Sequence, residues 1–128
     1  MKKGFSLVEL LLVLGLIGLL AAMAYPNYTQ VLVRTRRLEA QTALLNLAGR
    51  LEQEDHPRAL NQTPSLTRWY RLSIQKTNNK HYLLTATPID SQTRDAQCQS
   101  LTLTSEGLEG IAEGPKGYPT GPVKQCWS

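Results

Sequence analysis

The feature that most restricts what this chain can fold into is an apolar run over residues 5–25 that carries a single acid, Glu9, near its start. The other residues of the run are Leu, Val, Ile, Ala, Met, Phe, Tyr, Ser and two glycines, Gly15 and Gly18. At about 1.5 Å of rise per residue a helix of this length reaches roughly 31 Å, the thickness of a bilayer's hydrocarbon core. The segment is long enough to cross a membrane. A lone carboxylate in such a run costs about 3 kcal/mol on insertion scales unless it is paired, so Glu9 asks for a partner.

Two ordinary readings compete for this stretch. A secretory signal needs a basic start, a short apolar core and a small-x-small cleavage site, which Lys2, Lys3 and Ala22-Met23-Ala24 supply. An acid inside the core is poor signal design, however, and the helical pattern continues past that cut. A plain single-pass anchor is the second reading, and it leaves Glu9 unexplained. Gly15 and Gly18 each cost about 1 kcal/mol inside a helix relative to Ala. Close backbone approach is the matching gain, because Gly18 and Ala22 form a small-xxx-small pair of the kind that lets apolar helices pack.

The stretch Lys2-Lys3-Gly4-Phe5-Ser6-Leu7-Val8-Glu9-Leu10 resembles the leader junction of the type IV pilins and their relatives: a short basic leader ending in glycine, then phenylalanine, then glutamate five residues into the mature chain. The resemblance implies that a prepilin peptidase cuts between Gly4 and Phe5 and methylates the new amine. It also implies that the apolar helix is kept as an assembly element. The expected layout is a leader over 1–4, a hydrophobic membrane and assembly helix over 5–28, and a periplasmic or extracellular head over 29–128. In a bundle of staggered copies, the Phe5 amine of one subunit then meets Glu9 of a neighbour.

The chain has 128 residues, room for one domain, and two cysteines, Cys98 and Cys126. A long helix leaves about 70 residues for a head, small enough that a covalent staple helps. An even pair of cysteines in an exported head reads as one disulfide, worth about 3.6 kcal/mol by loop entropy, and in a cytosolic chain as incidental thiols. Formal charge is +4, and two of these positives are Lys2 and Lys3. Those two hold the N-terminus on the cytoplasmic side before cleavage and send the head outward. The remaining charge is too small to demand nucleic acid by itself.

Pro26 removes a helical hydrogen bond and predicts a bend near 22–26 with the helix continuing beyond it. Tyr25 and Tyr28 suit a membrane interface. From Thr29 to about Glu54 the pattern turns amphipathic: Ala40, Leu44, Leu47, Ala48 and Leu51 make one stripe, with Arg34, Arg37, Glu39, Gln41 and Arg50 on other faces. Leu38 and Leu45 form a second line. Residues 55–67 read as loop, and Asn61-Gln62-Thr63 is a weak glycosylation sequon. Residues 69–76 and 80–88 alternate as strands around a Thr77-Asn78-Asn79 turn, with Tyr70, Leu72, Ile74, Tyr82, Leu84 and Ala86 inward. Residues 100–104 give a third strand, and the tail after Gly107, rich in Gly and Pro, reads mostly as loop. The fold class is α+β, a long N-terminal helix packed on a small antiparallel sheet with a tail that a disulfide would pin.

The head, with Tyr82-x-Leu84-x-Ala86-x-Pro88, Asp95, Cys98, Leu101-x-Leu103, Gly107 and Cys126-Trp127, resembles PilE-like minor pilins of Gram-negative bacteria. Members of that group often carry glycine after the first cysteine, where this chain has Gln99, so the turn there is expected to differ. No catalytic, metal or cofactor motif appears: His56 and His81 lie in different elements, and Asp90 and Asp95 bracket a loop better explained by turn chemistry than by a cation. Positive charge does cluster, as Arg34, Arg36 and Arg37 on the helix and as Arg68, Arg71, Lys76 and Lys80 around the first hairpin with Trp69, Tyr70 and His81. That composition fits DNA contact, and it also fits an ordinary solvated surface or contact with lipid headgroups. The implied function is a structural, low-abundance pilus subunit without enzymatic activity, one that supports motility, adhesion or DNA uptake. Its implied partners are other pilins, the peptidase, the inner-membrane assembly machinery and lipid. A type II secretion pseudopilin and a DNA-binding competence pilin are the alternatives.

Overall fold

A computed structural model describes residues 4–53, 67–77 and 81–127. The leader lysines, the 55–66 part of the predicted loop with its sequon, Asn78 and Asn79 of the predicted turn, and Lys80 lie outside the described residues. The chain divides into two compact units, Met1–Leu32 and Val33–Ser128.

The first unit carries the whole apolar run over residues 5–25. Helix α1 (Leu7–Gln53) begins here, and its backbone stays helical through Pro26. Thr29 Oγ1 donates to the Pro26 carbonyl at 2.8 Å. The carbonyl that loses its donor to Pro26 is that of Ala22, one turn before this bond.

In the second unit the remainder of α1 supplies Ala40, Leu44 and Leu47 as buried residues, with Ala43, Ala48 and Leu51 packed at the margin. This is the stripe read from spacing, laid against a four-stranded antiparallel sheet of order β1-β2-β3-β4. The strands are β1 (Tyr70–Lys76), β2 (Tyr82–Pro88), β3 (Ser100–Thr104) and β4 (Glu109–Ala112). Tyr70 pairs with Pro88, Leu72 with Ala86 and Ile74 with Leu84, and Leu84 and Ala86 pair onward with Leu103 and Leu101. Directly opposed residues share a face, so the predicted inward set forms one apolar layer.

The tail departs from expectation. Residues 109–112 form the fourth strand and Val123–Cys126 a short helix, α2, where mostly loop was expected. A four-residue strand, Glu109-Gly110-Ile111-Ala112, is too short to show alternation, and its partner β3 imposes it. The Cys98–Cys126 disulfide closes the tail onto the core, with both cysteines buried. Trp127 packs on the core margin and its Nε1 donates to the Gly110 carbonyl at 2.7 Å, covering the β4 edge.

Gln99 adopts φ 49°, the left-handed region that glycine favours, and is buried. The backbone after Cys98 therefore takes a glycine-like conformation although the residue is not glycine, at a cost of about 1 kcal/mol. Gly114 answers it from across the sheet margin, since a Cβ there would fall on the Gln99 side chain.

Tyr70 is fully buried, and Gln92 Nε2 donates to its hydroxyl at 2.9 Å. Burial pushes its phenol up to about 12. An unfolded tyrosine ionises near pH 10, so Tyr70 leaves stability unchanged below pH 10 and lowers it as pH rises from 10 toward 12, by at most about 3 kcal/mol. Tyr82 is raised in the same direction, by burial and then the Glu52 carboxylate. Urea unfolding of wild type and Tyr70→Phe across that window is expected to show a steeper alkaline loss in wild type.

Candidate functional site

The large side chains of the N-terminal unit find nothing to pack on within it. Exposure is 90% at Phe5, 76% at Leu7 and never below 50% at any large apolar residue through Leu20. A Cβ at Gly15 or Gly18 would meet nothing within 4 Å. Among the described residues, nothing packs against those two glycines. The candidate assembly residues Gly15, Gly18 and Pro26 all lie on this bare stretch.

Glu9 is engaged locally. Ser6 N donates to Glu9 Oε2 at 3.3 Å, and Glu9 N donates to Ser6 Oγ at 3.2 Å. The Ser6 carbonyl accepts from Leu10 N at 3.2 Å, the first backbone bond of the helix. Gly4, Phe5 and Ser6 precede the helical residues.

The basic residues divide differently from the two sequence clusters. Arg36 stacks on Trp69 with its guanidinium carbon 3.6 Å from the ring centroid, and Arg68 approaches the same ring at 5.1 Å. Arg36 also donates to Ser91 Oγ at 3.1 Å. One arginine from α1 and one from the approach to β1 thus share an indole, a favourable cation–π arrangement. Arg71 is exposed on the outer face of β1, opposite Thr87. Lys76 pairs with Tyr82 on the other face, about 17 Å further along the strand at ordinary strand rise. Arg71 and Lys76 are therefore not one patch. Tyr70, expected among the interleaved aromatics, is in the core, and His81 is exposed beside Ser105 and Glu106.

Arg37 is not a surface cation. Its Nε and Nη2 donate to Asp95 Oδ2 and Oδ1 at 2.6 and 2.5 Å, and both residues are buried. Asp95 Oδ1 also accepts from Cys98 N. The 3-10 turn Asp90–Arg94 is held to the helix by Gln92, whose Nε2 donates to the Val33 carbonyl at 3.1 Å. Gln41 Nε2 donates to the Cys126 carbonyl at 2.5 Å. Asp95 is thus committed to Arg37, and no group of three or more His, Cys, Asp or Glu among the described residues is placed to hold a metal ion.

Comparison with known proteins agrees with this anatomy. Residues 26–102 match the family described as "Type IV minor pilin ComP, DNA uptake sequence receptor", and residues 1–25 match the "Prokaryotic N-terminal methylation motif". The chain belongs to this family of type IV minor pilins, a family of structural proteins. It is similar to the "Type IV major pilin protein PilA" of Myxococcus xanthus, at 45% identity over 34% of this chain and 20% of that protein. It is also similar to the "Fimbrial protein EcpC" of Eikenella corrodens, at 46% identity over 38% of this chain and 29% of that protein. The "Type IV major fimbrial protein FimA" of Dichelobacter nodosus is 37% identical over 43% of this chain and 37% of that protein. The chain thus spans between 20% and 37% of the length of these three relatives.

The Arg37–Asp95 pair makes a direct prediction. Asp95→Asn leaves a buried guanidinium without its counter-charge and is expected to cost about 3 to 5 kcal/mol in urea unfolding, whereas the pairwise replacement Arg37→Met with Asp95→Leu costs much less.

Proposed function

We propose that this protein is a non-enzymatic minor subunit of a type IV pilus that takes part in DNA uptake. The observation that carries this reading is an N-terminal helix bare of packing partners over its whole apolar length, with one carboxylate at its start. Helix α1 is long and apolar enough to cross a membrane. Before assembly the helix holds the subunit in the inner membrane with the head on the periplasmic side. A peptidase cuts between Gly4 and Phe5, methylates the new amine and leaves the helix in place. The assembly machinery then moves the subunit into a filament, where copies pack along residues 5–28, Gly15 and Gly18 permit close approach, and Glu9 pairs with the amine of a neighbour. The filament carries the head outside the cell, and the Cys98–Cys126 bond suits that oxidising setting.

DNA contact is assigned to the start of β1. Arg68 and Arg71 flank Trp69 and Tyr70 in sequence, and the Arg36 stack keeps the indole and its cations together. Guanidinium groups around an aromatic ring suit a phosphate backbone and an adjoining base. The family description, a receptor for a DNA uptake sequence, supports this choice over lipid headgroups. Lys76 and Lys80 are assigned a secondary part.

Two experiments test this reading. Cells carrying Glu9→Ala are expected to lose this subunit from sheared filaments while keeping it in the membrane; wild-type incorporation removes the pairing role. Full-length protein in detergent is expected to bind duplex DNA with an affinity that falls as salt rises. Arg68→Ala with Arg71→Ala should reduce the log–log salt slope by about 2, and Lys76→Ala by less. No binding at low salt eliminates DNA contact by this chain.

A further inference from the structure

The mutual hydrogen bonds of Ser6 and Glu9 have the form of a capping box, in which residue N-cap and residue N3 satisfy each other's backbone N–H. Because the Ser6 carbonyl accepts the first helical bond while Ser6 itself is not helical, Ser6 is the N-cap and the helix can start no earlier than Leu7. The bond between Gly4 and Phe5 therefore lies outside the helix, two residues before its first turn, and Phe5 is 90% exposed. Among the described residues, none beyond its chain neighbour lies within 4 Å of where a Gly4 Cβ would stand.

We infer that Ser6 is a positioning residue for processing: by stopping α1 at Leu7 in concert with Glu9, it keeps the Gly4–Phe5 peptide extended and accessible to the peptidase. This rests on the processing step proposed above. The step itself is a hydrolysis, in which water adds to the Gly4 carbonyl carbon, the C–N bond to Phe5 breaks, and the Phe5 nitrogen departs as an amine carrying the transferred proton. An extended peptide offers its N–H and carbonyl groups to an enzyme, as in strand addition, whereas a helix uses them internally. Without a cap at Ser6, the strong helix formers behind it let the first turn slide back over Phe5 and Gly4. Glu9 acquires a second task on this account. Its carboxylate serves as a cap in the unprocessed chain and becomes available to an amine once copies assemble.

The test measures processing of the full-length chain in membranes that contain a prepilin peptidase, by the mass of the N-terminal fragment over time. Ser6→Ala is expected to slow the cut about 5-fold, the loss of a good N-cap expressed as a rate. Ser6→Asp and Ser6→Thr both cap well and are expected to restore the wild-type rate. Asp lacks a hydroxyl, so rescue by Asp separates capping from recognition of the hydroxyl by the peptidase. Amide exchange at Val8 N–H, a first-turn donor that a helix starting at Leu7 leaves without an intrahelical acceptor, should be slower in Ser6→Ala than in wild type, because a turn that slides back offers it the Gly4 carbonyl, a readout that needs no enzyme. An unchanged rate in Ser6→Ala, or a slow cut in Ser6→Asp, overturns the positioning role while leaving the processing site intact. Absence of any cut after Gly4 in wild type overturns both.

Discussion

The unsatisfied apolar surface of residues 5–25 constrains the rest of this molecule. At about 25 cal/mol per Å² of apolar area, a helix clothed in Leu, Val and Ile on every side is strongly driven out of water. A polar-faced helix could have been folded onto the head. This one is hydrophobic all round, the pattern of a helix surrounded by lipid or by other helices. The head, by contrast, carries a core of its own.

That core shows how the head is tied to its part of α1. The helix contributes only a narrow stripe, Ala40, Leu44 and Leu47, to a core of modest size. Polar ties reinforce it at the helix surface: Arg37 to Asp95, Arg36 to Ser91, Gln92 to the Val33 carbonyl and Gln41 to the Cys126 carbonyl. Each reaches a segment that has little apolar surface of its own, either the 3-10 turn or the C-terminal tail. A domain this small gains little from adding one more leucine to so thin a layer, whereas a hydrogen-bonded charge pair fixes where the turn before Cys98 sits. The disulfide then holds the tail at the same place.

The parts legible in the sequence were those governed by local periodicity. The helix stripe and the inward set of β1, β2 and β3 follow from spacings of three, four and two. What escaped depended on distant partners. Nothing near Arg37 distinguishes it from Arg34, because the acid that buries it lies 58 residues away. Trp69 and Arg36 fell into two separate basic clusters for the same reason. β4 is a strand because β3 offers it an edge, a property absent from Glu109–Ala112 itself. The junction is the opposite case: Ser6-x-x-Glu9 before an apolar run is a legible capping signature, and attention to the charge of Glu9 concealed its hydrogen-bonding role.

These two roles of Glu9 are compatible because they differ in strength. The bond from Ser6 N–H at 3.3 Å is a long one from a neutral donor, while an α-amine is a charged donor, and charge-assisted bonds are shorter and roughly twice as strong. In an apolar bundle that difference widens, since screening by water is lost. An uncut chain has no such amine at Phe5, so its carboxylate keeps the backbone partner. On the proposed processing, each cut would create the stronger donor, and the carboxylate would be drawn from its own helix start toward a neighbour. A single acid can in this way hold the junction open before processing and select processed partners after it.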